Sequence, residues 1–118
     1  MEKLALRFKG LGDPTRLRII RLLDHGELCV CDLMAALTLP QSTVSRHMSF
    51  LRNGRWVDGR REGKWVYYTL AAPEDGIQAQ VLRVLRQHLP ERGQARKDYA
   101  RLLAHLANKT EATCSTEA

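Results

Sequence analysis

Leu33-Met34-Ala35-Ala36-Leu37-Thr38-Leu39-Pro40-Gln41-Ser42-Thr43-Val44-Ser45-Arg46-His47-Met48-Ser49-Phe50-Leu51 is the stretch from which the fold can be read. Leu33, Ala36 and Leu37 recur at the i, i+3, i+4 spacing of one helix face, and Val44, Met48 and Leu51 recur at i, i+4, i+7 on a second. Thr38-Leu39-Pro40 separates them, because proline lacks an amide donor and disfavours helical backbone in the residue before it. Two short helices joined by so tight a turn form a helix-turn-helix. The first is expected to start at about Cys29 or Val30, and the second to run from near Gln41 to a glycine cap at Gly54. Gln41, Ser42, Thr43, Ser45 and Arg46 are then left on the outer, N-terminal surface of the second helix.

Upstream, Leu4, Phe8 and Leu11 mark a short amphipathic helix. Asp13-Pro14 supplies an N-cap and a proline at the first helical position for another helix, whose face is Leu17, Ile19, Ile20 and Leu23 and which ends at Gly26. Downstream, Trp56 to Arg61 and Lys64 to Leu70 are aromatic and β-branched runs joined through Glu62-Gly63, the pattern of a two-stranded hairpin with Arg60, Arg61 and Lys64 at its tip. Past Ala71-Ala72-Pro73, one helical stripe holds Ile77, Val81, Val84 and Leu85, and another holds Tyr99, Leu102, Leu103 and Leu106. Pro90 and Gly93 interrupt them, and both are expected to serve dimer contacts. The fold class is mainly α (α+β): a winged helix-turn-helix with a two-stranded wing and flanking N- and C-terminal dimerisation helices. Residues 1–107 form this domain, and 108–118, polar and without apolar period, are expected to be a flexible tail.

A chain of 118 residues gains from dimerising, and a homodimer is expected. The net charge of +6 favours a polyanionic partner. No apolar run reaches the roughly 18 residues that span a bilayer, and Met1-Glu2-Lys3-Leu4 lacks a secretory profile, so no membrane partner and a cytoplasmic location are expected. In a helix-turn-helix the second helix enters the major groove by its first turns, where short polar side chains permit close approach and Gln or Arg reads base edges. Gln41, Ser42, Ser45 and Arg46 are the leading contacts with double-stranded DNA. Thr43 and His47 flank them, and His47 has the alternative of packing beneath the helix. Arg60, Arg61 and Lys64 would hold phosphates or a minor groove. Two-fold symmetry would make the operator an inverted repeat.

Glu27-Leu28-Cys29-Val30-Cys31-Asp32-Leu33 holds two thiols one residue apart. Residues i and i+2 diverge by about 200° on a regular helix, whereas two sulfurs on one soft ion lie within about 4 Å of each other. Cys29 and Cys31 therefore chelate together only at an irregular N-terminus or by unwinding the turn. Thiolates select soft or borderline ions. Cys114 is the remaining thiol and could complete the site from its own or the other subunit, with an external small thiol as the alternative. Met34 is read as core filling, and Asp32 as a helix cap. Asp98 and His105 lack a second His-x-x-Glu pair, so no metal site is expected on the C-terminal helices, and His25 and His88 read as surface residues. Oxidation of the thiols is a second way to regulate such a protein. An enzyme is not expected, since no Cys-x-x-Cys, general-base constellation or cofactor loop accompanies the pair.

Asp13-Pro14-Thr15-Arg16-Leu17-Arg18-Ile19, the cysteine motif, Gln41-Ser42-Thr43-Val44-Ser45-Arg46-His47 and Arg61-Glu62-Gly63-Lys64-Trp65-Val66-Tyr67-Tyr68 together resemble the ArsR/SmtB family of winged-helix metal-sensing repressors. The cysteine motif resembles most the arsenite- and antimonite-responsive repressors, and more loosely the cadmium- and lead-responsive ones. The resemblance implies a homodimer that leaves its operator when an inducer, As(III) or Sb(III), binds Cys29 and Cys31; cadmium, lead or zinc would be the inducer in the near variant. Some members carry a further cysteine where this chain has Met34.

Overall fold

The computed structural model describes residues 1–109; Cys114 and the remaining tail lie outside the described residues. Helices α1 (Glu2–Leu11), α2 (Pro14–Leu23), α3 (Val30–Leu37) and α4 (Gln41–Asn53) are followed by strands β2 (Val57–Glu62) and β3 (Trp65–Leu70), then α5 (Gly76–His88), a 3-10 turn (Leu89–Glu91) and α6 (Gly93–Ala107). A two-residue strand β1 (Leu28–Cys29) precedes α3. The core between α2, α3 and α4 is made of the side chains that the periodicity picked out. Ile19, Ile20, Leu33, Ala36, Val44, Met48 and Leu51 all have no exposed surface. Truncating one of the large ones, such as Leu33→Ala, would cost about 2–5 kcal/mol.

The expected fold class is the one found, with one addition to the wing. The sheet has three antiparallel strands in the order β1-β3-β2. Leu28 pairs with Tyr68 and Cys29 with Tyr67, while β2 and β3 pair from Val57↔Leu70 to Glu62↔Trp65. The hairpin connection is therefore Gly63-Lys64 rather than Glu62-Gly63, and Gly63 takes φ 62, which a side chain would strain. Two residues is too short for a period to show, which hides β1 from a pattern reading.

Two caps stand at the expected residues but are built differently. Asp13 occupies the N-cap of α2 but makes no side-chain capping bond; its carboxylate faces Arg16 at 3.8 Å and His47 at 3.6 Å. Gly54 follows α4 at φ −80, and the left-handed residue is Arg55 at φ 65. Glycine is needed at 54 for room, since a Cβ there would meet the Trp56 ring at 3.0 Å. That ring donates from Nε1 to the Arg7 carbonyl at 2.8 Å and ties α1 to the wing.

Of the two C-terminal stripes, the one on α6 is built into the core, whereas Ile77 and Val84 of the one on α5 stay open. α6 packs on α2 and α3 of its own chain, with Leu102 and Asp98 fully buried. Leu6, Phe8, Ile77, Val84 and Leu103 remain open, each between 44% and 54% exposed.

Candidate metal centre and nucleic-acid interface

Cys29 stands at the N-cap of α3 with extended backbone (φ −88, ψ 167), and Cys31 is in the first turn. Because one of the two thiols is outside the helix, the 200° divergence does not arise. Cys29 Sγ, Cys31 Sγ and a carboxylate oxygen of Asp32 all lie within 4.8 Å of one another. Of the two arrangements that the spacing left open, the backbone shows the irregular N-terminus, with Cys29 outside the helix and Cys31 inside it.

Asp32 builds this corner. Its Oδ2 accepts the Cys29 amide at 2.9 Å while the Asp32 amide donates to the Cys29 sulfur, a reciprocal cap with cysteine in the place usually held by serine. Two groups of α6 and its end close over it. Nε2 of His105 is 2.9 Å from Asp32 Oδ1 and 4.0 Å from Cys31 Sγ. Nζ of Lys109 is 2.9 Å from Asp32 Oδ1 and 3.5 Å from Cys29 Sγ. Burial pushes the Asp32 carboxyl up, but Lys109 and the Cys29 amide outweigh it and hold the carboxyl below its ordinary value of 3.8. Trp65 and Tyr67 of β3 pack on the two cysteines, so the thiols touch the wing as well as α3.

The sequence reading set His105 aside with the C-terminal site, and His105 proves to belong here. The signal was present: Asp98, Leu102 and His105 follow a 4-3 spacing that puts all three on one face of α6, and Lys109 follows two residues past its end. Asp98 itself is spent on structure. It receives Arg18 at 2.8 and 2.9 Å, Gln94 at 2.9 Å and Arg101 at 2.9 Å. Met34 is half-buried against the main core, as expected of a filler.

On α4, Ser42 and Arg46 are exposed and Gln41, Thr43 and Ser45 half-exposed, so the leading contacts share one open surface. Ser49, one turn past Arg46 on the same stripe, is exposed too and donates to the Ser45 carbonyl at 3.2 Å. His47 turns inward: its side chain is 14% exposed and faces Asp13. Burial first, and Arg16 and Arg46 after it, hold its pKa below 6.5 despite Asp13. The wing cations differ among themselves. Arg60 is bound to Glu27 at 2.7 and 2.8 Å and to Glu62 at 2.6 Å, and stacks 4.6 Å over Tyr67. Arg61 is exposed, and Lys64 lies 5.0 Å over Trp65 at the turn.

With recognition helix, wing and thiol corner in place, the comparisons with known proteins are specific. Residues 13–58 match the model for bacterial regulatory proteins of the arsR family. An uncharacterized HTH-type transcriptional regulator of Methanocaldococcus jannaschii is 46% identical over 68 residues, which are 57% of this chain and 76% of that protein. The chain belongs to the ArsR family. It is a DNA-binding transcriptional regulator and not an enzyme. The arsenical resistance operon repressor of Escherichia coli is 51% identical over 65 residues, covering 54% of this chain and 56% of the repressor. The match thus spans little more than half of that relative. Among solved structures, the homodimeric winged helix-turn-helix domain of a possible ArsR-family regulator from Mycobacterium bovis superimposes with a TM-score of 0.62 at 33% identity, covering 78% of this chain and 86% of that one. Among the described residues no helix is long and apolar enough to cross a membrane.

Proposed function

We propose that this ArsR-family regulator is a cytoplasmic, homodimeric repressor that releases an inverted-repeat operator when As(III) or Sb(III) binds Cys29 and Cys31. The observation that carries the reading is the meeting of two sulfurs and a carboxylate within 4.8 Å at the start of α3, the helix that supports α4. A trivalent ion takes three sulfurs, and the third comes from Cys114 or from an external thiol. Gln41, Ser42, Ser45 and Arg46 read bases, with Thr43 and His47 supporting them, and Arg60, Arg61 and Lys64 hold the backbone. The open apolar side chains of α1 and α5, among them Phe8, Ile77 and Val84, supply the dimer surface.

The ion acts on two elements together. Drawing Cys29 toward Cys31 pulls on β1, which is paired with wing strand β3, and on the first turn of α3, whose far end carries the turn into α4. A coupling of 1–3 kcal/mol between ion and operator would weaken DNA binding about 5- to 150-fold. Induction by cadmium, lead or zinc is the second reading, favoured by the carboxylate in the cluster.

Anisotropy of labelled operator duplex under reducing conditions tests the proposal. Arsenite should release the duplex from the wild type and fail to release it from Cys29→Ser or Cys31→Ser, both of which still bind DNA. Release by peroxide alone would replace the ion with thiol oxidation, and absence of specific duplex binding would end the repressor reading.

A further inference from the structure

We propose that His105 is a third protein ligand to an ion held by Cys29 and Cys31, making the corner a two-thiolate, one-imidazole centre for a borderline divalent cation of the zinc, cobalt and cadmium class. The inference rests on the cysteine pair being the inducer site. It adds α6 to a centre that the cysteine motif alone confines to β1 and α3.

Nε2 of His105 stands 4.0 Å from Cys31 Sγ. On a tetrahedral ion with sulfur at about 2.3 Å and nitrogen at about 2.0–2.1 Å, the two donors lie roughly 3.6 Å apart. For Cys31 and His105 the observed separation is therefore within about half an ångström of that value, and binding would draw Cys29 in to join them. The ring is held in place for this, its side chain only 10% exposed and one turn beyond the fully buried Leu102. Asp32, 2.9 Å from the same nitrogen, supplies either a fourth donor or an outer carboxylate that orients the ring.

Binding has a definite proton balance. In its Nε2–H form the ring donates to Asp32; moving that proton to Nδ1 turns the Nε2 lone pair to the ion. The two thiols become thiolates and release their protons to solvent. Lys109, whose ammonium lies 3.5 Å from Cys29 Sγ, withdraws as the divalent charge arrives. Imidazole suits zinc-like ions, whereas a trivalent ion satisfied by three sulfurs leaves His105 aside. His105 is thus the residue that separates the two ion classes at one site.

The test uses the full chain, reduced, with cobalt(II) followed by its thiolate charge-transfer and d–d bands and zinc(II) added in competition. Imidazole ¹⁵N shifts are recorded in parallel on the wild type during zinc(II) addition. His105→Gln should weaken zinc(II) binding by at least 10- to 100-fold, and Nε2 of wild-type His105 should shift on zinc(II) addition. Unchanged zinc(II) affinity in His105→Gln, or an Nε2 signal that does not move, would overturn the proposal and leave His105 as the partner of Asp32 alone. The ¹⁵N measurement decides the matter even if the variant fails to fold. Zinc(II) and arsenite responses that both survive Cys31→Ser would instead overturn the cysteine site itself.

Discussion

Two buried aspartates fasten α6, one toward each end, and they are held by different kinds of partner. Asp98, on α6 itself, is closed by the Arg18 guanidinium in a two-bond fork, with Gln94 and Arg101 on the same carboxylate. Arg101 also donates to the Ala36 carbonyl at 2.8 Å, so this end of α6 is tied to both α2 and α3. Asp32, on α3, is closed by the Cys29 amide, the His105 ring and the Lys109 ammonium. Burial works against the charge in both, and in both the partners prevail and lower the pKa. The partners of Asp98 are two guanidiniums and a side-chain amide. Two of those of Asp32, His105 and Lys109, stand beside the thiols of Cys31 and Cys29, and in the proposed centre the ion recruits the imidazole. One end of α6 is therefore a fixed staple, and the other is the end that the proposed ion would reach.

The largest expected effect lies at the staple. Asp98→Asn leaves Arg18 facing an amide and should cost about 3–5 kcal/mol in urea unfolding, with ion affinity per folded molecule unchanged. A parallel loss of ion affinity would erase the distinction between the two ends. Asp32→Asn keeps an acceptor for the Cys29 amide, so its cost should be about 0.5–2 kcal/mol, while zinc(II) affinity falls at least tenfold.

Acid sharpens the contrast further. Each carboxylate has its folded pKa below the ordinary 3.8. Its contribution to stability is therefore whole above that value and is lost as pH falls through the lower folded one. Unfolding followed from pH 6 down to about pH 2 should show this acid loss in the wild type and a clearly shallower one in Asp98→Asn. The smallest effect is expected at the end of the described chain. Lys109→Ala removes a partly exposed ion pair, changes stability by less than about 1 kcal/mol, and should tighten divalent ion binding several-fold in a titration.

Much of the molecule was legible from spacing. The 3.6-residue period of Val44, Met48 and Leu51 and the turn at Thr38-Leu39-Pro40 specify the helix-turn-helix without help from distant contacts. The aromatic and β-branched runs specify the wing in the same way. What escaped depends on tertiary placement. Arg16, Arg18 and Arg21 add to the positive charge in the sequence, yet Arg16 covers Phe50, Arg18 is bound to Asp98 and Arg21 covers Tyr99. Arg60, expected to hold phosphate, is already met by Glu27 and Glu62. The cysteine corner was half legible. Its residues were named from the motif, but its geometry turns on Cys29 lying in β1 rather than in α3, and on His105 arriving from a helix more than seventy residues away.

The central claim is that ion and operator compete through α3 and the wing strand. The most direct test is reciprocity: the arsenite dissociation constant of the 118-residue chain is measured alone and with saturating operator duplex. Linkage requires the duplex to weaken arsenite binding by the same factor, about 5- to 150-fold, by which arsenite weakens duplex binding. An arsenite affinity unchanged by saturating operator would contradict the claim, because ion and DNA would then be bound without knowledge of each other.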